Sequence, residues 1–315
     1  MSVTAPPQPP RAAKPVVRPG DRIFAGTARV AALTIMLALA GVFVFLALEG
    51  YPGLSAPERI YAPATDFWSY VGPLVFGTIL AACVALVIAV PFSIGVALFI
   101  SHYAPPRVAV PIAYVIDLLA AVPSVVYGLW GGLALAPATR PLIDWLYDNL
   151  SFIPFFAGPP SVTGRTMLTA GIVLAIMVVP ITTAISREVF AQTPRLHEEA
   201  AMALGATRWE MIRLAVFPYA RSGVISAVML GLGRALGETM AVAMVLSATP
   251  VVTLNLISNS NPATIASNIA SNYKEATPDK QAVLIATGLV LFAVTFVVNF
   301  AARWVISRGE RNLTR

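Results

Sequence analysis

Long apolar runs separated by short polar segments dominate this chain of 315 residues. A helix that crosses a hydrocarbon core of about 30 Å needs about 20 mostly apolar residues. Six runs meet that requirement, and they lie near residues 28–49, 71–101, 109–135, 166–187, 222–248 and 281–304. The alternating segments of about ten residues that indicate a transmembrane β-barrel do not occur. The pattern therefore predicts an all-α membrane protein with six transmembrane helices.

Composition and charge support this interpretation. Hydrophobic residues make up 57% of the chain, charged residues make up 11%, and the mean hydropathy is +0.78. Soluble domains carry about 25% charged residues. The formal net charge of +6 comes mainly from basic residues at the termini and in the loops that are inner if the N-terminus is cytosolic. This asymmetry follows the positive-inside rule, predicts that both termini are cytosolic, and argues against a nucleic-acid-binding surface.

The N-terminal part of the chain, residues 1–22, is rich in proline and has too few apolar residues to build a core. We expect a disordered cytosolic tail there. The apolar run that follows is longer than the 7 to 15 residues of a cleaved signal peptide, so it is predicted to be a retained first span. The transmembrane domain then covers residues 23–315, with a core at about 71–304. Because Cys83 is the only cysteine, no intramolecular disulfide can form.

Two longer connections are expected on the outer side. Residues 137–164 contain apolar residues between Asp144 and Asp148, which predicts a short amphipathic helix at the membrane surface. Residues 249–280 have weak helical character. Each segment is either a contact for an extracytoplasmic partner or a solvated connector. The spans show no internal repeat, which favours a half-transporter that pairs with another subunit.

A polar inner segment, residues 188–221, interrupts the apolar runs. Pro194 restarts the chain after the fourth span, and Glu198 and Glu199 follow in the first turn of a new helix, where carboxylates favour the helix dipole. Gly205 is placed to end that helix in a left-handed conformation. The pattern predicts a cytosolic helix-turn-helix finger.

The second helix of the finger has its own start and stop signals. Thr207 and Glu210 have the spacing of a capping box, and Pro218 is expected to close the helix before the fifth span. Helices of this kind also occur as amphipathic segments that lie on lipid, and Arg208 and Arg213 would suit that alternative.

The spacing of the finger resembles the EAA loop of the membrane subunits of ABC importers. The matching residues are Glu199, Ala200, Ala201, Gly205, Phe217 and Pro218, whereas Ala215 replaces the usual isoleucine. The resemblance implies that the finger, with Glu198, inserts into a cleft on a separate ATP-hydrolysing subunit. The chain has no GxxxxGK[ST] loop, so ATP and Mg²⁺ are expected on that partner, and no cofactor or metal is expected in this chain.

Two charged residues, Arg234 and Glu238, lie inside the fifth apolar run, and Thr239 follows them. Arg234 is about 18 Å from the inner end of the run at 1.5 Å per residue. A charge at that depth costs about 2.5 to 3.5 kcal/mol on insertion scales. On a continuous helix the two side chains share a face and can neutralise each other.

These two residues allow a structural and a functional interpretation. The structural one is an ion pair that locks helices together. The functional one rests on the guanidinium fork, which matches tetrahedral oxyanions, so that an anion could displace Glu238 from Arg234. Glu238 would then repel the anion and hasten its release, or accept a proton. Thr239 offers a hydroxyl on the same path.

The third apolar run contains Asp117, Pro123 and Ser124. An intramembrane carboxylate is a functional candidate by default, but pairing of Asp117 with an inner-side arginine such as Arg221 is the favoured interpretation. Pro123 is expected to kink the span or to free the carbonyl four residues upstream. Ser124 is a weaker candidate for the substrate path.

The two histidines, His102 and His197, lie at or near the predicted inner surface. We expect both side chains to be solvated there, and they do not form a metal-binding set.

The run from Gly233 to Val242 and the segment 121–128, Ala-Val-Pro-Ser-Val-Val-Tyr-Gly, resemble the permeases of phosphate-specific ABC importers of the PstC type. The resemblance covers residues 28–305. It implies the type I permease fold, location in the bacterial inner membrane, and import of inorganic phosphate without covalent chemistry in this chain. The implied partners are a homologous PstA-type permease, a PstB-type ATPase dimer and an extracytoplasmic PstS-type phosphate-binding protein. The alternatives are a permease for another oxyanion, such as molybdate or sulfate, and an ion-coupled secondary transporter.

Overall fold

The computed structural model describes residues 19–311, and the side chains of residues 20–304. Helices account for most of this range. Their bounds are α1 Pro19–Gly50, α2 Glu58–Tyr61, α3 Phe67–Leu98, α4 Pro106–Ala120, α5 Ser124–Trp130, α6 Ala136–Leu150, α7 Met167–Ala191, α8 Arg195–Ala203, α9 Arg208–Met211, α10 Phe217–Gly237, α11 Met240–Val245, α12 Ile265–Asn272 and α13 Pro278–Arg311. Two two-residue strands, β1 Ala248–Thr249 and β2 Asn261–Pro262, pair in parallel.

Several short turns of other helical types join these elements. Two 3₁₀ turns span Tyr51–Leu54 and Tyr273–Glu275, and three π-helical turns span Phe99–Tyr103, Gly131–Leu135 and Ile212–Val216. The chain divides at Phe45 into two units, the second of which begins at Leu46. The predicted disordered tail lies mostly outside the described residues, since α1 begins at Pro19, inside the predicted limit of residue 22.

The helices that are long and apolar enough to cross a membrane coincide in large part with the six predicted apolar runs. Five helical segments of the described chain are long and apolar enough to cross a membrane: Gly20–Leu54, Phe67–Tyr103, Met167–Ala191, Arg208–Gly237 and Pro278–Trp304. A sixth candidate consists of two segments, Pro106–Ala120 and Ser124–Leu150, that are bent by 92°. By length and composition, the described chain therefore has five candidate spans, or six if the bent pair counts as one.

The core of the second unit forms where α3 packs along α7, with α10 against both. Small residues allow this close approach, because a Cβ atom added at Gly171 of α7 would lie 2.3 Å from Val84 Cγ1 of α3. Ala85 of α3 and Leu174 of α7 are fully buried in the same cluster. Cys83 is a free, exposed cysteine on α3.

On the predicted outer side, a buried asparagine holds the loop before α12 in place. Asn261 is fully buried, and its amide donates to the carbonyls of Arg165, Ser247 and Ser258. Its side-chain oxygen accepts a hydrogen bond of 3.0 Å from the amide of Met167. One side chain thus joins the start of α7 to the segment that follows α11. The predicted short outer helix is present but longer than expected, as α6.

The finger begins as predicted and ends differently. Pro194 precedes α8, Gly205 adopts a left-handed conformation with φ of 86°, and Thr207 and Glu210 form a capping box at α9. The expectation that Pro218 closes the second helix is wrong, because the helix runs without a break from Arg208 to Gly237. The π-helical turn directly before α10 accommodates the proline, whose nitrogen cannot join a regular hydrogen-bond ladder.

Candidate functional site

The third span breaks between Ala120 and Ser124. Pro123 takes an extended conformation with ψ of 140° and precedes α5, whose direction differs from that of α4 by 92°. Proline disfavours helical geometry in the residue before it and has no amide to continue the ladder. The predicted kink at Pro123 is therefore confirmed, and it divides the apolar run over 109–135 into two helical arms.

Leu119 lies four residues before Pro123, so its carbonyl loses the regular helical donor and accepts the amide of Val122 at 3.3 Å instead. The hydroxyl of Tyr127 donates a second hydrogen bond, of 2.9 Å, to the same carbonyl. Tyr127 is buried, and its ring lies one turn into α5. This hydrogen bond fixes the second arm of the span to the first. The sequence motif contains Tyr127, but nothing in its spacing assigned it this role.

Glycines bring α5 and α11 into close contact. A Cβ atom added at Gly128 would lie 2.8 Å from Ala241 Cα, and one added at Gly132 would lie 2.8 Å from the Met244 carbonyl oxygen. Contacts this short cannot hold a side chain, so the two backbones touch only because both positions are glycine. The helical arm after the break in the third span therefore lies against the helix that follows the break in the fifth span.

The fifth span is also discontinuous, since α10 ends at Gly237 and α11 starts at Met240. Glu238 has an extended ψ of 128°, and its Oε1 accepts a hydrogen bond of 3.2 Å from the amide of Ala241. The Glu238 side chain therefore caps α11. The predicted continuous helix over 222–248 is wrong, and so is the predicted sharing of a helix face by Arg234 and Glu238.

Arg234 lies in the last turn of α10, where a cation is favoured by the helix dipole. Its side chain is half-buried. Among the described side chains, no carboxylate lies within ion-pair distance of Arg234. The predicted neutralisation by Glu238 is therefore absent, and the guanidinium keeps its hydrogen-bonding capacity for another anion.

The remaining path candidates lie around the two breaks. Thr239, half-buried, donates a hydrogen bond of 3.1 Å to the Gly237 carbonyl within the break of the fifth span. Ser124 is half-buried at the first position of α5. Both hydroxyls are therefore near the ends of interrupted helices, the arrangement in which membrane transporters place polar groups.

Asp117 is paired with an arginine of the inner side, as favoured, but the partner differs from the predicted Arg221. Its Oδ2 lies 3.9 Å from Arg187 Nη2, and the carboxylate side chain is 54% exposed. Arg187 lies near the end of α7, and Asp117 lies three residues before the end of α4. The pair joins the first arm of the broken span to the helix that leads into the finger.

The finger presents its predicted coupling residues at the surface. Within α8, Glu199 and Ala200 are exposed, Glu198 and Ala201 are half-buried, and no residue is buried. A groove of about 610 Å³ lies between α8 and the start of α10. Its lining consists of Leu196, His197, Ala200, Ala201, Leu214, Ala215, Pro218 and Tyr219. Three of the EAA-type residues therefore line a single, mostly apolar groove.

The two histidines have different environments. His197 is exposed, as expected, and meets the ring of Tyr219 at a centroid distance of 6.4 Å. The expectation for His102 is wrong, because its side chain is only 8% exposed and pairs with Glu198. No local pattern indicates this contact, since the two residues lie far apart along the chain. The described residues contain no group of three or more potential metal ligands.

A second cavity, of about 460 Å³, opens on the predicted outer side. Tyr70, Asn268 and Asn272 contribute its polar lining, and Asn268 donates a hydrogen bond of 2.9 Å to the Tyr70 hydroxyl. None of the predicted site residues lines this cavity.

Comparison with known proteins places the chain in a family. The family model described as "Binding-protein-dependent transport system inner membrane component" matches residues 89–310. The chain is 45% identical over 307 residues to the phosphate transport system permease protein PstC 2 of Mycobacterium tuberculosis, with 94% of each chain covered. It is 42% identical over 309 residues to PstC of Mycobacterium leprae, with 94% of this chain and 96% of the relative covered.

A solved structure supports the same fold at lower identity. It is a bacterial ABC transporter involved in the import of the acidic polysaccharide alginate, with 16% identity and a TM-score of 0.55. The match covers 91% of this chain and 99% of that chain. The fold is thus that of ABC importer permeases, and the protein belongs to the family of inner-membrane components of binding-protein-dependent transport systems.

Proposed function

We propose that this chain is the membrane permease subunit of an ATP-driven importer of inorganic phosphate and forms half of the translocation path. The observation that carries the proposal is the half-buried guanidinium of Arg234, at the end of an interrupted helix and without a carboxylate partner among the described side chains. An arginine fork binds tetrahedral oxyanions with two parallel hydrogen bonds. Curated relatives that share 45% and 42% of their residues with the chain carry the name of phosphate transport permeases.

The residues around Arg234 have separate roles in this proposal. Arg234 binds the anion, and the hydroxyls of Thr239 and Ser124 offer donors near the two helix breaks. Glu238 holds the start of α11 in the described conformation, and its carboxylate repels the anion when the path changes shape. Asp117, paired with Arg187, belongs to the inner end of the path.

Transport is powered by a separate ATPase in this proposal. The exposed α8 and its groove, with Glu199, Ala200 and Pro218, form the surface that an ATPase subunit grips, and ATP and Mg²⁺ bind to that subunit. A homologous permease of the PstA type completes the path, two PstB-type ATPase subunits drive it, and a PstS-type binding protein delivers phosphate from outside. The distribution of basic residues supports six spans in the bacterial inner membrane, with the bent pair as the third and both termini cytosolic.

The test is reconstitution of the chain with these partner subunits in proteoliposomes that contain ATP. The expected result is uptake of radiolabelled phosphate that requires both ATP and the binding protein. Unlabelled sulfate and molybdate serve as competitors, because the same arginine chemistry suits other oxyanions. Absence of ATP-dependent phosphate uptake, together with ATP-dependent uptake of labelled sulfate or molybdate, would contradict the choice of phosphate.

A further inference from the structure

The helix α8 touches the rest of the second unit through very few side chains. Every residue from Arg195 to Ala203 is exposed except Glu198 and Ala201, which are half-buried. These two are three residues apart, so they share one face of the helix. Ala201 packs against a core cluster that includes Ile212 and Val216, which precede α10. His197 adds an edge contact with Tyr219 on α10.

Glu198 contacts a different part of the second unit, the turn at the end of α3. Its Oε1 lies 3.5 Å from Nε2 of His102, and the side chains of Glu198 and His102 are 25% and 8% exposed. His102 lies in the π-helical turn Phe99–Tyr103 that continues α3. This pair links α8 to the end of α3, in addition to the packing of Ala201 against a cluster that also contains Ala97 and Leu98 of α3.

The orientation of the His102 ring is fixed by two neighbours. Its Nδ1 lies 2.7 Å from the Ser101 hydroxyl, and its ring meets that of Phe190 edge-on at 6.5 Å. The Ser101 hydroxyl has one hydrogen and also lies 2.8 Å from the Ala97 carbonyl, so it donates either to that carbonyl or to Nδ1; in the second case the ring hydrogen lies on Nε2 and points at Glu198. Phe190 is fully buried at the end of α7, so the ring cannot turn away without disturbing the core.

His102 is connected to the core through the backbone of α3. The π-helical turn follows α3 without a gap, and α3 makes the most extensive helix contact of the molecule, with α7. A displacement of α8 therefore reaches this apolar cluster through Ala201 and reaches the turn at the end of α3 through His102. Loss of the histidine contact removes the second route and leaves the first intact.

We propose that His102 is a positioning residue that transmits the movement of α8 to α3, so that ATP hydrolysis on the partner drives transport through this chain. The inference rests on the proposed function, because it requires an ATPase bound to α8. The side chain touches neither phosphate nor nucleotide. The His102 side chain couples a displacement of Glu198 in α8 to a displacement of α3.

The experiment uses the complete reconstituted transporter and measures phosphate uptake and ATP hydrolysis in the same vesicles. His102→Ala is expected to lower the phosphate transported per ATP hydrolysed about fivefold or more, while ATP hydrolysis continues. His102→Gln places an amide nitrogen near the position of Nε2 and is expected to restore most of the ratio. A ratio that is unchanged in His102→Ala, or equally low in both variants, overturns the proposal.

A second measurement separates a specific contact from general damage to the finger. In a double-mutant cycle, the effects of His102→Ala and Glu198→Gln on the transport ratio are expected to be non-additive. The matched cycle with Glu199→Gln, the neighbouring exposed carboxylate, is expected to be additive. Additive effects for both carboxylates overturn the proposal. If His102→Ala does not assemble, Glu198→Gln alone must lower the ratio, because α8 buries no side chain and this variant leaves the core unchanged.

The wild-type complex distinguishes failure of this inference from failure of the proposed function. Absence of ATP-dependent phosphate uptake in the wild type contradicts the proposed function. Normal wild-type uptake with an unchanged ratio in His102→Ala contradicts only the role of His102. If the wild type carries another oxyanion, the same ratio is measured with that anion.

Discussion

The hydroxyl of Tyr127 donates a hydrogen bond of 2.9 Å to the carbonyl of Leu119, across the break in the third span. In an unbroken helix that carbonyl would accept the amide of residue 123, which is a proline here. The tyrosine replaces part of the bonding that proline removes, and it does so from the opposite arm of a 92° bend. The hydroxyl therefore holds the two arms of the bend together.

Tyr127→Phe removes this hydrogen bond and keeps the ring. We expect the free energy of unfolding to fall by about 1 kcal/mol, because the carbonyl loses a donor in an apolar environment. Phosphate uptake should fall as well, since the two arms of the bend lose a hydrogen bond that holds them together. Denaturant unfolding in detergent and uptake in vesicles measure the two effects. Tyr114→Phe, on the 69% exposed ring of Tyr114 in α4, is the matched control and should change neither.

Arg234→Gln removes the charge and the fork. We expect phosphate uptake to fall about tenfold or more, because charged hydrogen bonds to an anion contribute about 1.5 to 3 kcal/mol each. Arg234→Lys keeps the charge without the fork and should give an intermediate rate. Arg221→Gln, at an exposed position near the inner start of the same helix, is the control and should keep wild-type uptake. Normal uptake by Arg234→Gln would remove this arginine from the path.

Glu238→Ala and Glu238→Gln separate the structural role of this side chain from its charge. Alanine cannot accept the hydrogen bond from Ala241, so we expect a loss of about 1 kcal/mol in the free energy of unfolding, as for other lost helix caps. Glutamine still offers an oxygen to that amide and should keep most of the stability. If Glu238→Gln is stable but transports phosphate slowly, the negative charge itself acts in transport. Equal stability of the two variants would contradict the capping role.

Gly128→Ala tests the close contact between α5 and α11. The added Cβ would lie 2.8 Å from Ala241 Cα, which is backbone and cannot move aside cheaply. We expect a loss of about 1 to 3 kcal/mol in the free energy of unfolding from this overpacking. Gly95→Ala, in α3 where no atom lies within 4 Å of the added Cβ, should instead stabilise the protein by up to about 1 kcal/mol. Thermal unfolding of the two variants side by side provides the measurement.

Asp66, which caps α3 on the predicted outer side, gives a pH dependence. The Ser69 hydroxyl donates to this carboxylate and, with the amides of Ser69 and Trp68, lowers the pKa of Asp66 below its usual value. A carboxyl whose pKa is lower in the folded state contributes stability above its unfolded pKa, and that contribution disappears as the pH falls through the folded pKa. We therefore expect faster amide exchange at Trp68 and Ser69, relative to the intrinsic rate, below about pH 4. Asp66→Asn should show no such pH step.

The sequence predicted the helical spans well because span length and apolar content follow from the thickness of the bilayer alone. It also predicted the start of the finger, since Gly205, Thr207 and Glu210 act through local backbone geometry. The kink at Pro123 belongs to the same class, because proline changes its own neighbourhood wherever it lies.

The parts that sequence could not give depend on contacts between distant elements. No proline marks the helix break after Gly237. Because the apolar run continues through this position, the sequence favours a continuous helix there. Glu238 was therefore predicted to face Arg234, whereas it caps α11. The pairing of Asp117 with Arg187, and of His102 with Glu198, requires knowledge of which helices are neighbours. The roles of Arg234, Thr239 and the coupling residues stay predictions.

The absence of buried side chains in α8 has a consequence for how such proteins change over time. A substitution on its outward face removes no packing contact, so it costs little folding stability. Selection on those positions then reflects recognition by whatever binds the helix, independently of the membrane core. This short segment can thus acquire a new binding preference by a few replacements, while the buried helices that surround the broken spans keep their sequence.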